Sequence, residues 1–221
     1  MELLKLKDIF KTPPALSLFG GEYFAKFLMY ILRFNKLNKI YEQIASKKGI
    51  DFIDEIIRVL EFKIEFDETE LKKIPSTGPL IVVANHPFGG FDGLLLIKYL
   101  SQFRPDVKVI GNFLMQKVDP VSEYFIPDNP FNNTDPEKQE KECKGATEAL
   151  THLDNGGILC LFPAGDLSTY GTFDSITDQV WQFPIVKFVK KARVPVVPAY
   201  FQGTNSRLFH FFAKIHPSLR Q

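Results

Sequence analysis

Residues 81–96 read IVVANHPFGGFDGLLL, and the reading of this stretch decides the fold. Leu80 to Ala84 is an unbroken apolar run of strand length, the pattern of a strand covered on both faces. Asn85, His86, Pro87, Gly89 and Gly90 make an irregular loop. Leu94 to Ile97 then opens a helix, with Asp92 where an N-cap or first-turn carboxylate belongs. His86 and Asp92 stand across a glycine-rich turn, and glycine lets the backbone fold tightly enough to bring two such side chains together. A carboxylate on one ring nitrogen of a histidine orients the other as a general base. Two readings of the pair are open here: an oriented base, or a loop histidine beside a proline and an aspartate that only caps a helix.

Downstream of this stretch, strands and helices alternate. The pattern predicts a helix over Gly93–Phe103 and a strand over Val107–Ile110 that ends at Gly111-Asn112. Pro120 to Pro136 reads as loop, and 137–153 as a charged helix stopped by Asn155-Gly156-Gly157. A second buried strand is predicted over Ile158–Phe162, a helix over Gln182–Ala192 and a third strand over Val194–Tyr200. Alternation of this kind means an α/β domain, with a mostly parallel central sheet flanked by helices.

Upstream the chain reads differently. Residues 1–14 look like a surface arm. Ala15 to Phe34 is rich in Leu and Phe but carries Glu22, Lys26 and Arg33. It fits either an interfacial helix lying on a bilayer or a helix packed on the domain. Helices are predicted over Leu37–Ser46 and over Ile50–Phe62 with Asp51 as cap, then a short strand over Lys63–Asp67 and a loop over Glu70–Gly78. The expected division is an N-terminal helical, membrane-facing subregion over 1–70 and an α/β core over 71–221.

Composition narrows the function classes. The chain has 221 residues and a formal net charge of +1, so bulk charge gives no argument for nucleic acid. Phe is in excess at 22 residues, enough to fill a core, line an acyl-chain pocket or face a membrane. The 2 cysteines, Cys143 and Cys160, form neither a disulfide framework nor a metal spacing. The expectation is a reduced compartment, with Cys160 a small core residue. No secretory signal and no apolar run of spanning length is visible, which leaves a peripheral membrane protein open.

Four predicted loops carry the polar chemistry: NHPFGGFD, GNFLMQK, FPAGDLS and YFQGTNS. In an open α/β sheet, sites form beyond the carboxyl ends of the strands, so these loops are expected to converge on one crevice. They supply His86, Asp92, Lys117, Asp166 and the small polar groups of Ser168, Thr204, Asn205 and Ser206. There is no G-x-S-x-G elbow for a serine nucleophile. His86 and Asp92 lack further His or Cys at ligand spacing, so no metal is expected. His152, His210 and His216 fall outside these loops, where surface or packing roles are expected.

With these residues in view, the loops resemble the sequence blocks of the PlsC-like glycerolipid acyltransferases. NHPFGGFDG resembles the His-to-Asp block, FPAGDLS the phenylalanine-proline block and VPVVPAYFQGTNSRLF the final proline block. The details are most similar to the bacterial hemolysin-like subgroup, which acylates lyso-ornithine or lyso-glycine aminolipids. The resemblance implies transfer of an acyl group from a thioester on acyl carrier protein or coenzyme A to a lipid hydroxyl. It implies no cofactor beyond that co-substrate, and a peripheral place on the cytoplasmic face of the inner membrane. Carried over residue by residue, His86 is the general base and Asp92 its partner. Gly89, Gly90, Lys117, Phe162, Pro163, Gly165, Asp166, Ser168, Gly203 and Asn205 are the candidate substrate-binding residues. The chain departs from the family pattern in three ways. Five residues separate His86 from Asp92 where the family has four, with Gly89 and Gly90 to absorb the extra one. Ala164 stands where phosphate-acceptor members have Glu, the nearest carboxylate being Asp166. Lys117 replaces a phosphate-binding arginine by a point charge. A 1-acylglycerol-3-phosphate acceptor, a hydrolase acting on lipid or thioester, and a non-enzymatic lipid-binding module are the alternatives. Family members usually run on past the position of Gln221, so a terminal helix or strand is expected to be missing here.

Overall fold

The computed structural model describes residues 34–111, 113–127, 136–170 and 176–206. The helix expected over Ala15–Phe34 and the residues His210 and His216 therefore lie outside the described residues, apart from Phe34 itself. The element order is α1 (Phe34–Ile44), α2 (Gly49–Val59), α3 (Glu68–Leu71), β1 (Leu80–Ala84), α4 (Gly90–Leu100), β2 (Val107–Gly111) and α5 (Phe113–Gln116). A 3₁₀ turn over Asp119–Tyr124 leads to β3 (Phe125–Pro127), α6 (Pro136–Asp154) and β4 (Ile158–Leu161). The two-residue strands β5 (Thr169–Tyr170) and β6 (Ile176–Thr177), then α7 (Phe183–Ala192) and β7 (Val196–Ala199), complete the described chain.

The apolar run that opened the sequence reading is the middle of the molecule. All five residues of β1 are buried, and each fully buried Val, Leu or Ile stabilises the fold by about 1.5–3 kcal/mol. β1 pairs in parallel with β4 on one side and β7 on the other, with Val82 opposite both Cys160 and Val197. The main sheet runs β3-β2-β4-β1-β7 with every pairing parallel. Alternation along β1 divides its side chains between two cores. Leu80, Val82 and Ala84 join Phe52, Ile53, Leu96 and Ile97 of α2 and α4 on one face. Ile81 and Val83 join Ala149 and Leu153 of α6 and Ile185 and Phe188 of α7 on the other. Helices on both faces of a parallel sheet are the α/β architecture the sequence predicts. Tyr41 and Ile44 of α1 share the first core, so this helix packs into the same body as the sheet.

At the edge where the strands begin, one buried arginine ties the loops together. Arg104 pairs through two nitrogens with Asp106 and donates to the carbonyls of Pro75, Gly78 and Gly156. His152 contacts the carbonyls of Asp106 and Ile158 at 3.1 and 3.0 Å, the packing role expected of it. Cys160 is fully buried, and burial pushes its thiol up, as befits an inert core residue.

Several local expectations are corrected. Lys63–Asp67 forms no strand. Its Phe66 stacks on Tyr99 instead, as Phe62 just before it stacks on Phe91, both at 4.2 Å between ring centres. Asp67, read as the end of that strand, instead caps α3, accepting from the Thr69 backbone N–H at 2.9 Å, and α3 runs into the first residues of the expected loop. Asp51 lies in the first turn of α2 and is not its cap, which falls at Lys48. The segment from Pro120 to Pro136 contains β3, three residues ending in a proline, too short for a period to register. The β5–β6 pair was likewise invisible, because the two strands have two residues each. Among the described residues no helix is long and apolar enough to cross a membrane.

Candidate active site

Because the sheet is parallel, the loops after β1, β2, β4 and β7 leave from the same edge. Side chains tie three of them together. Asn85 accepts from the Phe201 backbone N–H at 2.7 Å and donates to its carbonyl at 2.9 Å, clamping the end of β1 to the end of β7. Asn205 donates to the Pro87 carbonyl at 2.7 Å. From the loop after β4, Phe162 stacks on His86 with ring centres 4.1 Å apart, and the Ser168 N–H donates to the His86 carbonyl at 2.9 Å. The loop after β2 reaches the site through Met115: a Cβ on Gly90 would lie 2.6 Å from its sulfur. The convergence expected of the four loops is therefore present.

His86 and Asp92 meet. Nδ1 of His86 lies 3.0 Å from Oδ2 of Asp92. The extra residue between them does not keep them apart. Gly89 takes a positive φ of 74° that favours glycine, α4 starts at Gly90, and Asp92 falls in its first turn. From there the carboxylate points back along the chain, and Oδ2 also accepts the Phe88 N–H at 2.9 Å. Asp92 is fully buried, whereas the His86 side chain keeps 17% of its exposure. Burial pushes the Asp92 carboxyl up from its ordinary range, against the opposing pull of His86 and of the Phe88 and Gly89 backbone N–H groups. With Nδ1 turned to the carboxylate, Nε2 is the ring nitrogen that Asp92 does not engage. No group of three or more potential metal ligands exists among the described residues.

The remaining candidates divide by exposure. Gly165 and Asp166 are exposed at the tip of the loop after β4, while Pro163, Leu167 and Ser168 are buried beneath them. Gly165 has a φ of 72°, which favours glycine, and a Cβ there would lie 1.9 Å from the Gln182 amide nitrogen, so the loop and the entry to α7 touch. Gly203 is required in the same way, since its Cβ would meet the Phe88 ring at 2.7 Å. Lys117 is exposed just past α5, two positions beyond the Met115 that contacts Gly90. A shallow groove of about 710 Å³ runs along α6 between Lys108, Glu148 and Asn155, but it includes none of these residues.

The profile of the acyltransferase family matches residues 10–220. The chain belongs to the acyltransferase family. Curated relatives agree with it. The lyso-glycine lipid O-acyltransferase of Phocaeicola vulgatus is 27% identical over 219 residues, covering 98% of this chain and 75% of the relative. The lyso-glycine lipid O-acyltransferase of Bacteroides thetaiotaomicron is 28% identical over 199 residues, covering 90% of this chain and 70% of the relative.

One residue at this candidate site of the acyltransferase has no counterpart in the sequence motifs. Asp178, just beyond β6, accepts the His86 backbone N–H at 3.2 Å and the Ser168 hydroxyl. Together with the Ser168 N–H on the His86 carbonyl, it holds the histidine's peptide from both sides. Asp178 lies 92 positions from His86 along the chain and in no motif, so only the packed chain reveals it. Asp178→Ala is expected to lower kcat/KM about tenfold to a hundredfold, because hydrogen bonds to a charged group are worth about 1.5–3 kcal/mol each. Asp178→Asn keeps an acceptor oxygen for both donors and should recover most of the rate. A loss of thermal stability with kcat unchanged in the alanine variant would make the residue a structural tie only.

Proposed function

We propose that this acyltransferase moves a fatty acyl group from an acyl thioester, carried on acyl carrier protein or coenzyme A, to the hydroxyl of a lyso-lipid. The acceptor class we favour is a lyso-aminolipid of the lyso-glycine lipid kind. The observation that carries the reading is the His86–Asp92 contact at the convergence of the strand-end loops, in a chain whose curated relatives are named for that acceptor. Ala164 and the exposed Asp166 in the loop after β4 give that loop no cationic group for an acceptor phosphate, which favours the aminolipid over 1-acylglycerol-3-phosphate.

In this mechanism the acceptor hydroxyl gives its proton to Nε2 of His86 as its oxygen attacks the thioester carbonyl. The tetrahedral intermediate then breaks its C–S bond, and the leaving thiolate takes the proton back from the imidazolium. No covalent enzyme intermediate is needed. Asp92 holds Nδ1 as the donor nitrogen and stabilises the imidazolium while it exists. The Gly90 backbone N–H, at the start of α4, is the donor we assign to the oxyanion. Phe162 supports the imidazole ring from its face, and the remaining loop residues shape the acceptor subsite. The membrane surface, on its cytoplasmic side, is where both substrates would meet the protein.

The test incubates the purified protein with labelled acyl-acyl carrier protein or acyl-CoA and a panel of lyso-lipids, read by mass spectrometry. An O-acylated lyso-glycine lipid, formed only when that acceptor is added, is the expected result. Thioester loss at the same rate without acceptor would make the protein a hydrolase. Product from 1-acylglycerol-3-phosphate alone would replace the acceptor, and no turnover with either donor would favour a lipid-binding role.

A further inference from the structure

The segment that brings Asp178 to His86 continues directly into the most exposed apolar cluster described in the chain. Val180 is 92% exposed, Trp181 52% and Phe183 77%. Gln182, in their midst, turns the other way: its N–H donates to the Pro163 carbonyl at 2.8 Å and its amide packs on Gly165. The apolar cluster is thereby fixed beside the converging loops, between the residue that holds the His86 peptide and the loop that carries Phe162. Phe183 opens α7, and positions 187, 190 and 191 follow it on the same helical face. These are Lys187, Lys190 and Lys191, all exposed, while Ile185 and Phe188 are buried against the sheet. Arg193 follows, also exposed, and no acidic residue occurs between Phe183 and Tyr200.

An apolar tip of large side chains beside a face of uncompensated cations is the pattern of an interfacial membrane contact: the tip enters the acyl boundary while the cations meet anionic headgroups. We propose that Val180, Trp181 and Phe183, with the basic face of α7, form the surface by which this protein docks on an anionic lipid bilayer. Docked this way, the converging loops lie at the bilayer surface, and a lipid hydroxyl reaches His86 without the whole lipid leaving the membrane. The purpose of the surface rests on the lyso-lipid reading above. Its existence does not, and plain vesicles can test it.

Trp181 is the sole tryptophan of the chain, so its emission reports on this surface alone. Vesicles of phosphatidylglycerol and phosphatidylcholine, without lyso-lipid, should shift the emission to the blue. Brominated acyl chains should quench it, and salt should reverse both effects. In sedimentation, Phe183→Ser and the triple variant Lys187→Glu, Lys190→Glu, Lys191→Glu should each bind these vesicles about tenfold or more weakly. Each should keep its rate on a detergent-dispersed acceptor. Vesicle binding without quenching of Trp181 would overturn the proposal and place the contact elsewhere. An emission already blue in buffer and insensitive to vesicles would mean that another part of the chain covers the cluster. A blue emission that appears only as protein concentration rises would assign the surface to a second copy. If no acyl transfer is found with any acceptor but the quenching stands, the docking surface survives and the functional reading fails.

Discussion

His86→Ala is expected to remove acyl transfer, by about 10²–10⁴-fold, the usual contribution of a positioned general base. The fold is expected to survive, because the ties made at this position belong to the peptide and not to the ring. The His86 N–H goes to Asp178 and its carbonyl accepts from Ser168, and alanine keeps both. What is lost is the stacking on Phe162 and the contact with Asp92. Circular dichroism and thermal melting check the first half of this expectation, and turnover of acyl thioester with a lyso-lipid checks the second. Activity within tenfold of wild type, in a folded variant, would return His86 to the status of a loop residue beside a proline.

The separation of peptide and ring roles explains how much of the site was legible from sequence. The buried strand, the glycine turn and the two ionisable groups are local: they occupy 13 consecutive residues from Leu80 to Asp92, and local spacing limits where side chains can go. The strands after it were legible because Ile158–Leu161 and Val196–Ala199 are apolar runs bounded by turn residues. β3 and the β5–β6 pair were not, because strands of two or three residues leave no period to read. Asp178 was missed for a related reason. Its importance comes from its place just beyond the β5–β6 pair, where it meets a peptide far away in the chain. The role of Asn85 was hidden too, since its partner is the backbone of Phe201 and a backbone partner leaves no residue-type signal. Phe162, read as part of a substrate block, turns out to stack on the histidine. Exposure was equally illegible: Trp181 and Phe183 flank the buried-side contact of Gln182, and nothing in the letters distinguishes the three.

Asp92→Asn should separate catalysis from stability more sharply than any other change. Oδ2 of Asp92 accepts the Phe88 N–H and faces Nδ1 of His86. An asparagine with its carbonyl oxygen in that place keeps both contacts, so α4 starts where it did. The negative charge is lost, and with it the stabilisation of the imidazolium formed when His86 takes the acceptor's proton. The rate is expected to fall by about 10²–10⁴-fold. Stability should move the other way. Burial raises the carboxyl above its ordinary range, so the folded protein holds the Asp92 proton more tightly than the unfolded chain does. Such a group contributes stability that is present at acid pH and lost as pH rises through the folded pKa. Above that range, wild type carries a buried charge that the asparagine variant lacks. Thermal melts at pH 4 and pH 7.5 should therefore show the two proteins closer at the lower pH, with the variant gaining on wild type as pH rises. If Asp92 served only to start the helix, asparagine would do so equally well and the rate would be near wild type. A slow variant that is no less stable at neutral pH would mean that the buried charge is kept for the reaction, at a cost to the fold.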